Sequence, residues 1–153
     1  MLTTRIMTDD DKREVCNWKY SGEYEIYNMP TYDEMVEKEF AFLNLKRQNN
    51  YNTYFDKETC VGFTNVLEEE KEIFIGIGVT PNYCGQGYGQ AMLKIVIEKC
   101  RKLYPNKPHY LKVRSWNKRA ITCYQKAGFV IDGDEFVQET SIGVGTFYRM
   151  IHQ

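Results

Sequence analysis

The sequence is poor in the residues that build metal centres and covalent frameworks. Its 153 residues hold two histidines, His109 and His152, and five cysteines, Cys16, Cys60, Cys84, Cys100 and Cys123. The cysteines are odd in number, widely spread and free of any C-x-x-C, which argues against a zinc site and a disulfide framework. They are read as reduced, mostly buried thiols of a cytoplasmic protein, and no metal site is expected. No apolar run approaches the roughly 20 residues needed to cross a bilayer, so no membrane partner is expected. The N-terminal M-L-T-T-R-I-M-T-D-D-D-K has no apolar core of a secretory signal. Repeats, low-complexity tracts and linkers are lacking as well. Residues 1–153 therefore read as one domain, long enough to bury a real core.

Two phosphate-binding signatures are missing too. No Gly-Lys-Ser/Thr occurs, which excludes a Walker loop, and no G-x-G-x-x-G occurs, which excludes the dinucleotide fingerprint. Counted from Gly85 the sixth place is Gln90, and counted from Gly87 it is Met92.

What is present begins with an uneven charge. The net charge is −1, yet residues 1–72 hold 16 acidic against 9 basic residues, and residues 73–153 hold 5 against 11. Between Lys94 and Lys126 ten Lys or Arg stand against one acid, Glu98. A basic half suits a polyanionic ligand and an acidic half suits a protonated amine, although two differently decorated solvated faces explain the split equally well.

Element signals follow in order. Leu2–Met7 reads as a strand, and Thr8 caps a helix carried through Val15 and Trp18. A tyrosine-rich loop runs to Pro30. Thr31 and Glu34 form a capping box opening a second helix, with Met35, Val36, Phe40 and Leu43 on its apolar side. Three closely spaced extended runs (51–56, 59–67 and 72–79) read as an antiparallel meander. A helix from about Gly87 to Tyr104 buries Leu93, Val96, Ile97, Cys100 and Leu103. His109–Ser115 alternates as a strand, Asn117 caps a short helix ending at Gly128, and 129–139 with 143–151 close the chain as a hairpin. The order is β-α-α-β-β-β-α-β-α-β-β, an α/β class with one mixed sheet.

The run E-I-F-I-G-I-G-V-T-P-N-Y-C-G-Q-G-Y-G-Q, from Glu72 to Gln90, leads a β-branched strand through a glycine turn into a helix start. Such a junction binds phosphate, because bare backbone amides point outward at the helix N-terminus and glycine lets an anion come close. V-T-P-N-Y-C-G-Q-G-Y-G-Q resembles the acetyl-CoA-binding motif of the GNAT superfamily of N-acetyltransferases. Asn117, Ala120, Tyr124, Gly128 and Phe129 are similar to that family's N-x-x-A-x-x-x-Y-x-x-x-G-F. The motifs cover residues 59–130; elsewhere only the element order agrees.

The resemblance implies a central, mostly antiparallel sheet flanked by helices, and acetyl-CoA as co-substrate. It implies that the amides of Cys84, Gly85, Gln86, Gly87, Tyr88, Gly89 and Gln90 hold the pyrophosphate. Ile77, Gly78 and Val79 would pair with the pantetheine arm, with Gly76 and Gly78 leaving room for it. Asn117 would contact that arm, and Tyr124 would protonate the departing thiolate. Seven residues apart, these two share a helix face about 10 Å along the axis. Position 84 is Cys where the family pattern has Arg or Gln. The amide cradle survives that change, a side-chain contact is lost, and the thiol reads as structural rather than nucleophilic.

The acceptor is less legible. Glu72 lies near where some members keep a glutamate and is the candidate base, with Glu68, Glu69 and Glu70 as alternatives that also suit a solvated turn. Trp18, Tyr20, Glu23, Tyr24, Glu25 and Tyr27 suit either an amine pocket or plain packing over the sheet. The expectation is acetyl transfer to a small-molecule or peptide amine by direct attack in a ternary complex. The alternatives are a catalytically silent acyl-CoA-binding module and, less favoured, a nucleic-acid-binding domain. Oligomeric state is left open, with a homodimer compatible.

Overall fold

Two connections are too short for a crossover, and they set the first half of the sheet. Lys57, the one described non-glycine residue with positive φ (58°), turns β2 (Tyr51–Asp56) into β3 (Thr59–Glu68). Residues 69–72 turn β3 into β4 (Ile73–Val79). The result is the expected antiparallel meander, with Tyr51 opposite Asn65 and Gly62 opposite Val79. β1 (Leu2–Ile6) adds antiparallel to β2. In this computed structural model, residues 2–37, 45–140 and 143–152 are described.

The second half hangs on one crossover. α3 (Tyr88–Leu103) carries the chain from β4 back to β5 (His109–Arg114), so these two strands lie parallel. β8 (Gly143–His152) runs antiparallel along β5, and its other edge carries β6 (Val130–Ile131) and β7 (Phe136–Thr140). The described residues thus form an eight-stranded, mostly antiparallel sheet ordered β1-β2-β3-β4-β5-β8, with β6 and β7 on the outer edge of β8. The β4–β5 ladder has only two rungs, Ile73–His109 and Phe74–Tyr110. Beyond them the strands part.

Helices cover both faces. α3 and α4 (Lys118–Lys126) bury Leu93, Val96, Ile97 and Ile121 against Ile73, Ile75, Leu111, Val113 and Met150. Fully burying one such aliphatic side chain stabilises the fold by about 1.5–3 kcal/mol. On the opposite face, α1 (Asp9–Cys16) and α2 (Tyr32–Glu37) enclose Met7, Val15, Cys16, Met35 and Tyr51, with Trp18 and Phe63 packed alongside. Thr8 caps α1 in a full capping box with Asp11, whose N–H donates to Thr8 Oγ1 at 3.1 Å. Thr31 Oγ1 likewise accepts from the N–H of Glu34 at 3.2 Å.

Several expectations change. Val36 and Leu103, expected on the apolar sides of their helices, are exposed at 53% and 57%. α1 stops at Cys16, before Trp18, because Asn17 closes it and its amide donates back to the carbonyls of Glu14 and Val15. The tyrosine-rich loop contains a 3-10 turn, Gly22–Tyr27. The single strand expected over 129–139 is broken into β6 and β7, where Gly133 takes a φ of +81°. Phe40 and Leu43 lie outside the described residues.

Candidate active site

The place where β4 and β5 part is also where two backbone residues are aimed outward. The Thr80 amide donates to the Val61 carbonyl at 3.0 Å. That bond makes Val79 and Gly62 a non-hydrogen-bonded pair of the β3–β4 ladder. Val79, and by alternation Ile77, therefore turn their N–H and C=O groups away from β3 into the opening left by β5. The strand edge offers a ladder to anything extended that enters there.

The glycine turn sits at the end of that edge. Thr80-Pro81 starts a short 3-10 turn (Pro81–Tyr83), after which Gly85 and Gly87 take φ values of +79° and +87°. A side chain is rarely tolerated in that region, so both positions call for glycine. Gly87 is the N-cap of α3 and supplies no side-chain cap, and the first turn of α3 holds no acidic residue. The first amides of the 16-residue helix are thus left to an outside acceptor, with the helix dipole behind them. Gly89 is glycine for another reason: a Cβ there would meet Cys123 Sγ at 2.8 Å.

The opening leads into a cavity of about 810 Å³. Of the predicted residues, Ile77, Gly78, Val79, Cys84, Gly85, Gly87, Gly89, Gln90, Asn117 and Tyr124 line it together. Gln86 and Tyr88 belong to the same turn but point elsewhere. Gln86 Nε2 donates to the Asn82 carbonyl at 3.3 Å, and the Tyr88 hydroxyl donates to Asp56 at 2.6 Å. Glu72 is not brought to the cavity. It sits at the other end of β4, about 23 Å from Val79 at 3.3 Å per residue. There it holds Arg149 in a two-pronged ion pair with contacts of 2.5 and 3.1 Å.

Glycines 76 and 78 also differ from the expectation that both make room along the strand edge. A Cβ at Gly78 would strike the Phe63 ring at 2.5 Å, whereas one at Gly76 would make only ordinary contacts. Glycine at 78 serves the packing of Phe63 on the sheet face.

Tyr124 reaches the cavity from α4, with its ring edge-on to Phe129. Burial, then the nearby Cys123, Tyr27, Tyr20 and Cys84, push its hydroxyl well above the ordinary tyrosine range, so it keeps its proton. Asn117 is nearly buried and spends its side chain locally. Its Oδ1 caps α4 by accepting from Ala120 N–H at 3.1 Å, and its Nδ2 donates to the Tyr27 hydroxyl at 2.9 Å. The Cys84 thiol points back at the Val79 and Thr80 carbonyls, both at 3.6 Å. Burial raises its pKa, opposed in part by Arg119, which leaves it a poor nucleophile.

The tyrosine-rich segment closes the cavity over the sheet. Tyr20 donates its hydroxyl to the Val79 carbonyl at 2.7 Å, and Tyr24 and Tyr27 pack on Trp116. Glu23 and Glu25 are not among the lining residues. The lining also includes Phe63 and Phe147, and five cations, Lys112, Arg114, Lys118, Arg119 and Lys126. No described carboxylate lines it. Lys112, Arg114 and Phe147 were missed from the sequence, because strand alternation reads Lys112 and Arg114 simply as the outer side of β5.

The split sheet, with a glycine-capped helix start at the split, defines a GNAT-type transferase fold. The chain belongs to the acetyltransferase (GNAT) family, whose model matches residues 12–129. Its reaction class is accordingly the transfer of an acetyl group to an amine. It is 34% identical over 94 residues to the [ribosomal protein bS18]-alanine N-acetyltransferase of Escherichia coli (strain K12), covering 61% of this chain and 62% of that protein. It is 23% identical over 108 residues to the uncharacterized N-acetyltransferase YfmK of Bacillus subtilis (strain 168), covering 66% and 68%. The chain thus spans about two thirds of the length of these curated relatives. Among solved structures, a chimera of spermidine N-acetyltransferase SpeG from Vibrio cholerae and hSSAT superposes with a TM-score of 0.74. That match covers 99% of this chain and 94% of the other at 21% identity, a likeness of fold.

Proposed function

We propose that residues 1–153 form a single N-acetyltransferase domain that moves the acetyl group of acetyl-CoA onto a primary amine by direct attack, with both substrates held at once. The observation that carries this reading is the pair of outward-aimed backbone residues, Ile77 and Val79, lining one cavity with the glycine-capped start of α3 and with Tyr124. The bound co-substrate supplies a thioester whose carbonyl carbon the amine attacks and whose sulfur departs as thiolate. Gly85, Gly87 and the first amides of α3 suit its pyrophosphate. Ile77 suits the amides of an extended arm, and the Val79 N–H suits the oxygen on which negative charge develops. Tyr124, kept protonated by burial, suits the proton donor to the leaving sulfur.

The lining accounts for the free amine in a way that does not call on Glu72. Five cations and no described carboxylate disfavour a protonated amine inside the cavity, so an entering ammonium sheds its proton more readily there than in water. Cys84 is turned into backbone carbonyls, which supports transfer without an acyl-enzyme. The relatives' names speak of polyamines and of a ribosomal protein's alanine, and both present primary amines to be acetylated. No described helix is long and apolar enough to cross a membrane. All five cysteines are free, which supports placing the reaction in the reducing cytoplasm.

The test is release of free thiol from acetyl-CoA across a panel of primary amines, run beside direct binding of acetyl-CoA. Turnover with at least one amine is expected. Tight acetyl-CoA binding with no turnover on any amine would favour a silent acyl-CoA-binding module instead.

A further inference from the structure

Arg114 closes β5 on the sheet face opposite α3 and α4, since its neighbour Val113 belongs to the core beneath those helices. The whole residue is only 8% exposed, yet it lines the cavity. Its guanidinium lies 4.9 Å from the centroid of the Phe147 ring. Gly145, two residues before Phe147 on β8, leaves the space it occupies, because a Cβ there would overlap Arg114 Nη1. Just past the end of the β5–β8 ladder the chains stay tied: Ser115 N–H donates to the Thr146 carbonyl at 3.0 Å, and the two hydroxyls meet at 2.7 Å. The guanidinium is therefore seated over the Phe147 ring and against Gly145, on a residue that lines the cavity.

Among the described residues Arg114 has no ion pair and no side-chain hydrogen bond. A cation this buried is expected to be paired, because burial without a partner is costly. The other described β-sheet arginines on this face are paired, Arg5 with Asp11 and Arg149 with both Glu72 and Asp132. Lys112, two residues before Arg114 on the same face, is exposed and donates to Gln138 Oε1 at 3.2 Å. A planar five-donor fork in the lining of a cavity that no described carboxylate enters matches a carboxylate in two-pronged geometry.

We propose that Arg114, on its Phe147 and Gly145 seat, is the acceptor-side anion subsite, and that the acceptor is an amine that also carries a carboxylate. Its carboxylate is held at Arg114 while its amino group enters the β4–β5 opening near Val79. This rests on the acetyltransferase reading above and narrows it, setting the acceptor apart from the polyamines that some relatives are named for. A free amino acid and the C-terminal carboxylate of a short peptide share this chemistry.

The experiment pairs acids with their own amides. Alanine with alaninamide, glutamate with its diamide, glycylglycine with its amide, and spermidine are offered with acetyl-CoA, and thiol release is followed. The acids are expected to outrun their amides at least tenfold in kcat/KM, with spermidine poorest, and the amino acid and dipeptide arms separate the two sources. Arg114→Gln should raise KM for the best acid at least tenfold, leave KM for acetyl-CoA within about twofold, and change KM for the matching amide several-fold less than for the acid. Arg114→Lys, which keeps the charge but loses the fork, should fall between, and unchanged acetyl-CoA binding in both variants reports an intact fold. Equal use of acids and amides, or a rise in KM for acetyl-CoA in place of the acceptor, would overturn the subsite and leave the acetyltransferase standing. Failure of every amine despite acetyl-CoA binding would overturn both.

Discussion

The hydroxyl of Tyr20 donates to the backbone carbonyl of Val79 across 2.7 Å, tying a loop 59 residues upstream to the end of the split strand. Val79 is the residue whose N–H faces the opening, so this bond links the orientation of that peptide to the aromatic cover. Tyr20 is itself mostly enclosed, and burial, with smaller contributions from Cys84 and Tyr27, raises its pKa far above the ordinary tyrosine value. It stays a donor throughout the working pH range.

Removing that hydroxyl tests the link. A net hydrogen bond of this kind is worth roughly 0.5–1.5 kcal/mol. Tyr20→Phe is expected to lower the melting midpoint by about 2–4 °C and to lower kcat/KM by more than the stability loss explains. Steady-state kinetics beside a thermal melt separate the two, and unchanged kinetics would show that the bond only packs the loop.

Gly87 and Gly89 separate backbone strain from crowding. Gly87→Ala forces a side chain into the left-handed region, at a cost of about 1–2 kcal/mol, and disturbs the amides that start α3. Gly89→Ala keeps an ordinary helical backbone but meets Cys123 Sγ. Acetyl-CoA affinity, read by calorimetry, is expected to fall at least tenfold for Gly87→Ala. The double change Gly89→Ala with Cys123→Ala should restore most of what Gly89→Ala loses.

Glu72 illustrates what was and was not legible in the sequence. The glycine turn, the cap at Asn117 and the strand ending at Val79 were readable, because each depends on local chemistry: positive φ, a capping oxygen, a β-branched run. Glu72 was singled out by its place at the start of a strand and by resemblance to a glutamate that some family members keep, and its ion pair with Arg149 is a contact across 77 residues that no local pattern reports. Arg114 was hidden for the same reason, since only the register with β8 places it on Phe147 and above Gly145. The break between β6 and β7 was missed because an apolar stretch outweighed the turn at Asp132 and Gly133. Glu72→Gln is therefore expected to lower the melting midpoint while leaving kcat within about twofold. A collapse of kcat in a folded Glu72→Gln protein would reinstate it as the base.

His109 gives the stability its pH dependence on the acid side. It is 2% exposed, and burial, followed by His152 and Arg101, lowers its pKa below the ordinary histidine value. In the unfolded chain it titrates near 6.5, so below that pH the unfolded state takes up the proton more readily. Its contribution is intact above about pH 6.5 and is lost as pH falls further. Melting midpoints between pH 8 and 5 should decline through that window, and His109→Leu should flatten the decline.

The central claim is that Tyr124 delivers the proton to the leaving sulfur while the backbone of the split strand and the glycine turn hold the donor. Tyr124→Phe removes one oxygen from a buried ring already packed on Phe129. General acid catalysis contributes typically 10²–10⁴-fold. The decisive measurement is kcat of Tyr124→Phe with the best amine, set beside its dissociation constant for acetyl-CoA. A fall in kcat of about 100-fold or more with affinity held within about threefold is the predicted result. Wild-type turnover in Tyr124→Phe, or lost affinity with kcat unchanged, would contradict it.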